Sequence, residues 1–143
     1  MAELDQFLDE ILDRQVKAEE AIHNGDAGPR LAMWSDRDPV TLFGAAVSKR
    51  GADQVREFFP VLARQFSDCT AYRFELVAAG ASGDLGYTVG YEHTSVSIDG
   101  VPVDYVLRVT HVYRREDGEW KIVHRHGDNP PVERRPLADA VSG

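Results

Sequence analysis

The chain has 143 residues, the size of a single domain with its own hydrophobic core. Its formal net charge is −8, from 24 acidic and 16 basic residues, which argues against binding to nucleic acid or to an anionic membrane, because both need a cationic surface. The single cysteine, Cys69, excludes an intramolecular disulfide and a multi-cysteine zinc site.

The N-terminal sequence does not have the pattern of a targeting segment. Acidic residues such as Glu3 and Asp5 occur where a signal peptide carries basic ones, and no apolar stretch reaches membrane-spanning length. We therefore expect a soluble, cytoplasmic protein that does not engage a membrane.

The first predicted element is an amphipathic helix from Glu3 to about His23, with apolar residues near helical spacing and acids at its start, where the helix dipole favours them. The Asn24–Asp26 segment ends it. Pro29 is typical of the first turn of a helix and predicts a short second helix that ends near Trp34.

A short strand is predicted over Thr41–Phe43 and a third helix over Ala52–Phe66. The third helix carries apolar residues at helical spacing, which is typical of a helix that covers a core. Pro60 lies inside it and removes a helical hydrogen bond, so we expect a kink or a break into two shorter helices.

The second half of the sequence changes to a period of two, which predicts four antiparallel strands. They cover Tyr72–Ala78, Leu85–Ile98, Val103–Arg114 and Trp120–His126. Helices gathered on one side of a curved antiparallel sheet form an α+β cone with a cavity between the two layers. We expect one domain over residues 1–128 and an extended or disordered tail over residues 129–143.

One face of the last predicted strand changes from apolar to polar along its length. Strict alternation places Trp120, Ile122, His124 and His126 on one face, with Asp128 continuing it. An apolar start that leads to two imidazoles and a carboxylate is typical of the floor of a ligand cavity. The alternative is that the histidines lie at a solvent-exposed edge of the sheet.

Arg108 and Thr110, on the preceding strand, are predicted to face the same space as the two histidines. Arg108 would hold a carboxylate or enolate oxygen through a forked pair of hydrogen bonds, and Glu92 or a neutral histidine would move a proton. The alternative is a structural ion pair between Glu92 and Arg108. The catalytic candidates are Glu92, Arg108, His124, His126 and Asp128. The ligand-binding candidates are Trp34, Phe43, Phe58, Tyr72 and Thr110.

Two other hypotheses belong to different classes of function. The His124-x-His126 spacing, with Glu92 or Asp128, has the residue types of a transition-metal site, although so short a motif also occurs by chance. A non-catalytic carrier of small molecules, or a dimeric interaction module, would need the same apolar lining as an enzyme. We expect no organic cofactor.

Three segments carry a resemblance to a known family: VTLFG at residues 40–44, GDLGYTVGYE at 83–92 and LRVTHVYRREDGEWKIVHRHGD at 107–128. Together with the order of elements they resemble the SnoaL-like branch of the nuclear transport factor 2 and ketosteroid isomerase superfamily, which has a cystatin-like fold. The resemblance implies a cone-shaped α+β barrel with a small-molecule pocket between sheet and helices. Members include isomerases, polyketide cyclases, dehydratases, hydrolases and binding proteins, so the fold does not decide the function.

The resemblance also implies a homodimer that packs through the outer face of the sheet, with Val123 and Arg125 as interface candidates. The sequence itself favours a dimer, because the N-terminal helices can cover only one face of the sheet. No motif here matches the Asp and Tyr pair of ketosteroid isomerase or the catalytic Asp of the polyketide cyclases.

Overall fold

A computed structural model describes residues 2–131 and shows three helices on one side of a six-stranded sheet. The helices are α1 (Ala2–Ile22), α2 (Gly28–Met33) and α3 (Ala52–Ala63). The strands are β1 (Thr41–Phe43), β2 (Ser48–Arg50), β3 (Phe66–Ser82), β4 (Leu85–Ile98), β5 (Val101–Glu116) and β6 (Glu119–Asp128). None of the described helices is long and apolar enough to cross a membrane. The predicted α+β class is confirmed.

The strand order across the sheet is β2-β1-β6-β5-β4-β3. The four long strands pair as successive antiparallel hairpins, as the alternation predicts. The short β1 instead runs parallel to β6 and forms a hairpin with β2. Of the tail, residues 129–131 have no regular structure, and the prediction for residues 132–143 lies outside the described residues.

The N-terminal helix packs on the sheet along one buried stripe, which consists of Phe7, Ile11, Gln15, Ala18, Glu19 and Ile22. The ring of Phe7 lies over β4, where a Cβ added to Gly86 would come within 2.8 Å of that ring. Only glycine permits this close approach of helix and sheet. The apolar residues of this stripe therefore hold α1 in close contact with the sheet.

The third helix differs from its prediction in two respects. It ends at Ala63 rather than at Phe66, which is the first residue of β3. It also continues through Pro60, so of the two predicted alternatives, a kink or a break into two shorter helices, the break is wrong. Burial of Val55, Phe59 and Ala63 against the core offsets the lost hydrogen bond.

A β-bulge in β6 changes which side chains face the helices. Val112 pairs with His124 but Tyr113 pairs with Ile122, so Val123 is an extra residue with no partner on β5. An extra residue reverses the alternation beyond it. Trp120 and Ile122 are buried against the helices as predicted, but the prediction that the two histidines share their face is wrong.

Beyond the bulge, Arg125 and Gly127 point inward, and His124, His126 and Asp128 point outward. The prediction that Val123 and Arg125 lie on the free outer face is therefore wrong. Both side chains are buried within the single chain, with 8% and 6% of their surface exposed.

Candidate functional site

A cavity of about 290 Å³ opens between the helices and the inner face of the sheet. Its wall is formed by apolar side chains of four elements and by the β1–β2 loop: Leu42, Ala45, Ala46, Val47, Phe58, Leu62, Phe66 and Leu107. Its polar lining is His23, Arg30, Gln65, Tyr105 and Arg125. We call this space the inner cavity. It lies at the small end of ligand pockets, which typically measure about 300–1,000 Å³.

A buried ion pair joins Arg125, which lines the cavity, to Glu92 behind the lining. Arg125 donates from Nη2 to Oε1 of Glu92 at 2.7 Å and from Nη1 to Oε2 at 3.0 Å. The hydroxyl of Tyr72 donates to the same carboxylate at 2.8 Å. Burial alone would raise the pKa of Glu92, but the guanidinium outweighs burial and lowers that pKa to about 2. Glu92 therefore stays ionised and is a poor proton acceptor at neutral pH.

A second buried ion pair joins Arg30 of α2 to Glu19 of α1. The guanidinium donates to both carboxylate oxygens, with Nε 2.9 Å from Oε2, and both side chains are only 5% exposed. The ring of Phe59 lies beneath the guanidinium, with its centroid 5.1 Å from Cζ. This pair fixes the short helix α2 against α1 and places Arg30 in the cavity lining.

The imidazole of His23 and the hydroxyl of Tyr105 meet at the cavity floor, with Nε2 2.7 Å from the phenol oxygen. The other ring nitrogen, Nδ1, lies 2.6 Å from the backbone oxygen of Glu19. A carbonyl oxygen can only accept, so Nδ1 carries the proton and Nε2 accepts from Tyr105. Burial lowers the pKa of His23 and raises the pKa of Tyr105 to about 12, so both groups are uncharged at neutral pH.

A second imidazole, His111, is fully buried behind the floor. Burial, and then the neighbouring Arg125, lower the pKa of His111 to about 3. Its Nε2 accepts from Nη1 of Arg125 at 3.2 Å, while its Nδ1 has no hydrogen-bond partner among the described residues. The hydroxyls of Thr88 and Thr94, on the same inner face, are likewise without a partner in that part of the chain.

Four of the predicted site residues lie on the inner side of the sheet. Glu92 and Tyr72 belong to the buried network behind the cavity, and Phe58 lines it directly. Trp34 is 2% exposed, packs edge-on against Phe59 and does not line the cavity.

The other six predicted site residues lie together on the opposite, outer side of the sheet: Phe43, Arg108, Thr110, His124, His126 and Asp128. Arg108 forms a forked pair with Asp128 at 2.8 and 3.0 Å, and the Nε2 of His126 lies 3.7 Å from that carboxylate. The ring of Phe43 packs edge-on against both histidines. The predicted sharing of a face by Arg108, Thr110 and the two histidines is thus correct.

The prediction that this outer group shares a cavity with Glu92 is wrong. The bulge places the two histidines on the outer face, and the side chain of Arg108 also points outward. Part of the group lines a shallow outer depression, also of about 290 Å³. Its polar side chains are about half exposed, with 49% of the Arg108 side chain and 51% of the His126 side chain accessible. The inner cavity combines an apolar wall with a buried polar floor, which is the usual composition of a ligand site.

The metal hypothesis required His124 and His126 to converge with Glu92 or Asp128. Glu92 lies on the other face of the sheet, and residues 2–131 contain no group of three His, Cys, Asp or Glu side chains that could hold a metal ion.

Sequence reasoning missed all five polar residues of the cavity, which are His23, Arg30, Gln65, Tyr105 and Arg125. A signal for a buried network was present in α1, where Gln15 and Glu19 continue the stripe of Phe7 and Ile11 at intervals of four. Polar residues on the buried stripe of a helix need buried partners. Arg125 had no such signal, because its inward direction depends on the bulge.

Comparison with known proteins adds a family match. A family model described as a SnoaL-like domain matches residues 11–132. No curated protein matches the sequence.

Solved structures show the same fold. A nuclear transport factor 2-like superfamily protein from Salmonella enterica has a TM-score of 0.73 at 16% identity, over 92% of this chain and 99% of the other. A candidate dehydratase of that family from Streptomyces avermitilis has a TM-score of 0.72 at 18% identity, over 90% of this chain and 99% of the other. A protein of unknown function from Pseudomonas putida has a TM-score of 0.70 at 21% identity, over 94% of each chain.

Proposed function

The chain belongs to the SnoaL-like family, and on that premise we propose that its inner cavity binds a small, mostly apolar carbonyl or enol compound and moves a proton on it. The observation that carries the proposal is the hydrogen-bonded His23–Tyr105 pair at the floor of the apolar cavity. A neutral imidazole whose unprotonated nitrogen can be exposed to the substrate is the usual general base near neutral pH.

The chemistry follows from the donors and acceptors at the floor. A ligand carbonyl that displaces the Tyr105 hydroxyl from His23 would place the carbon next to the carbonyl near Nε2. His23 would take the proton from that carbon, and N–H groups of Arg125 or Arg30 would stabilise the enolate oxygen that forms. Return of the proton from His23 to another position gives an isomerisation, and loss of a β-hydroxyl, which leaves as water with the proton that His23 holds, gives a dehydration. The name of the Streptomyces avermitilis protein, a candidate dehydratase, is compatible with this class of reaction.

A test that does not require the natural substrate is hydrogen–deuterium exchange. The protein is incubated in D₂O with 1-indanone, a small apolar ketone, and deuterium uptake next to the carbonyl is followed by NMR. We expect exchange above the buffer rate, reduced about 100-fold or more in His23→Gln, because general-base catalysis contributes about 10²–10⁴. His126→Gln, on the outer face, is the matched control and should exchange like the wild type. Equal exchange in His23→Gln and the wild type would refute the role of His23.

A second candidate function is a non-catalytic carrier. It is favoured by the two carboxylates behind the cavity lining, Glu19 and Glu92, since both are held in ion pairs and neither is free to act as a base. A carrier would bind 1-indanone in the inner cavity without accelerating deuterium exchange, so the same experiment separates the two functions.

We also propose that the chain forms a homodimer through the outer face of the sheet. Val77, Leu85 and Tyr87 are 59%, 58% and 44% exposed, which is high for apolar side chains on long strands. Val77 also borders the outer depression together with Tyr91. Exposed apolar strands of this kind are typically covered by a partner. Light scattering at micromolar concentration should give twice the chain mass, and Tyr87→Glu should give the monomer mass; a wild-type monomer would refute the dimer.

A further inference from the structure

Two cationic side chains line the inner cavity, and each is paired with an anionic side chain behind the lining, so that the four charges cancel. Arg30 and Arg125 are 4% and 6% exposed, and both belong to the cavity lining. Each guanidinium forms a forked pair with one carboxylate, Glu19 for Arg30 and Glu92 for Arg125. The carboxylates are 4% and 1% exposed, so solvent does not screen these pairs. The sum of the four charges is zero.

The remaining polar groups add no charge at neutral pH. His23 carries one proton, on Nδ1, and the hydroxyl of Tyr105 keeps its proton and donates a hydrogen bond to Nε2. The ammonium of Lys49 lies over the ring of Phe58, 5.4 Å from its centroid, but Lys49 does not line the cavity. An incoming carboxylate would thus lose its hydration without meeting an uncompensated positive charge.

An uncharged ligand oxygen meets a more favourable arrangement. An arginine has five N–H donors, and the forked pairs together with the contact to His111 use only part of them. The unused N–H groups can donate to a carbonyl or hydroxyl oxygen without a change in the net charge of the site. The loss of hydration is also far smaller for a neutral oxygen than for an ion.

We propose that Glu92 and Glu19 determine the specificity of the inner cavity, by cancelling the charge of its two guanidiniums so that it selects uncharged carbonyl or hydroxyl compounds and rejects carboxylates. This inference rests on the proposed function, because it concerns the ligand of the same cavity. It assigns to the two carboxylates a role in selection rather than in proton transfer.

The test compares two ligands with the same ring system, 1-indanone and indane-1-carboxylate. Each is titrated at pH 7 into ¹⁵N-labelled wild-type protein, into Glu92→Gln and into Glu75→Gln, and dissociation constants are taken from chemical-shift changes of cavity residues. Glu75 is the matched control, because it pairs with His93 at 2.9 Å on the outer face and its substitution changes the net charge of the protein by the same amount.

We expect the wild type and Glu75→Gln to bind the ketone at least about tenfold more tightly than the carboxylate. In Glu92→Gln the amide oxygen can still accept from Arg125, but the site gains one positive charge, so the ratio should move at least about tenfold towards the carboxylate. If Glu92→Gln does not fold, the wild-type ratio and Glu19→Gln provide the same comparison.

The outcomes separate this inference from the proposed function. A wild type that binds the carboxylate as tightly as the ketone overturns the selection of uncharged ligands. Equal ratios in the wild type and in folded Glu92→Gln and Glu19→Gln overturn the role of the two carboxylates. If neither probe shifts any cavity residue of the wild type, the small-molecule site itself is refuted, and the inference with it.

Discussion

Replacing His111 with Gln should make the stability of the fold less sensitive to acid. In the folded chain His111 is fully buried beside Arg125, and its pKa is lowered to about 3 from the usual 6.5. As the pH falls below 6.5, the imidazole of the unfolded chain takes up a proton that the folded chain cannot accept until about pH 3. The contribution of His111 to the free energy of unfolding therefore decreases between these two pH values and is complete only above pH 6.5.

The expected magnitude follows from the width of this window. Between pH 6.5 and pH 4 the unfolded state gains about 1.4 kcal/mol per pH unit from this group, a total of about 3 kcal/mol. Glu92 and His23 also have lowered pKa values and act in the same direction, so the wild type is compared with the variant rather than with a calculated curve.

The assay is urea-induced unfolding of the wild type and His111→Gln at several pH values from 7 to 4. Gln keeps an oxygen that accepts from Arg125 but does not titrate. The matched control is Thr88→Val, which alters the residue paired with His111 on β4 and removes a buried hydroxyl without a partner among the described residues. It should keep the wild-type pH dependence. Identical pH dependence in the wild type and His111→Gln would refute the assignment of a neutral, buried imidazole.

Three further predictions concern packing, the buried network and the outer face. Gly86→Ala should lower the free energy of unfolding by about 1–3 kcal/mol in urea, because its Cβ would meet the ring of Phe7; unchanged stability would contradict the close approach. Tyr72→Phe should cost about 2 kcal/mol in the same assay, since it removes a buried charge-assisted hydrogen bond to Glu92, and a loss under about 0.5 kcal/mol would contradict that bond. Arg108→Met, on the outer face, should leave the affinity for 1-indanone unchanged in an NMR titration; a marked loss would place the ligand on the outer face.

The long strands could be predicted from sequence because their physical cause is local. A strand with one buried face alternates in polarity, and β4 begins and ends at the predicted residues, Leu85 and Ile98. β2 was missed because its three residues, Ser48–Arg50, are polar and form a strand only through pairing with β1. The formation of β2 depends on pairing with β1, which the local sequence pattern of residues 48–50 does not show.

The candidate site was predicted less well, and the bulge at Val123 is the main physical reason. Nothing in the sequence around this residue, such as a glycine, marks the position where β6 gains a residue relative to β5. Because of the extra residue, Arg125 points inward, whereas the two histidines that were predicted to point inward lie on the outer face. β4, the strand of Glu92, has no extra residue of this kind. Alternation therefore placed Glu92 correctly on the inner face.

The most direct test of the inner cavity as the ligand site is the detection of intermolecular nuclear Overhauser effects from 1-indanone to side-chain methyl groups. The two faces of the sheet carry separate reporters: Leu62 and Leu107 line the inner cavity, and Val77 and Val89 line the outer depression. Contacts from the ketone to Leu62 and Leu107, lost when the cavity is filled by Ala46→Phe, are the predicted result. Contacts to Val77 and Val89 without any to the two leucines would contradict it.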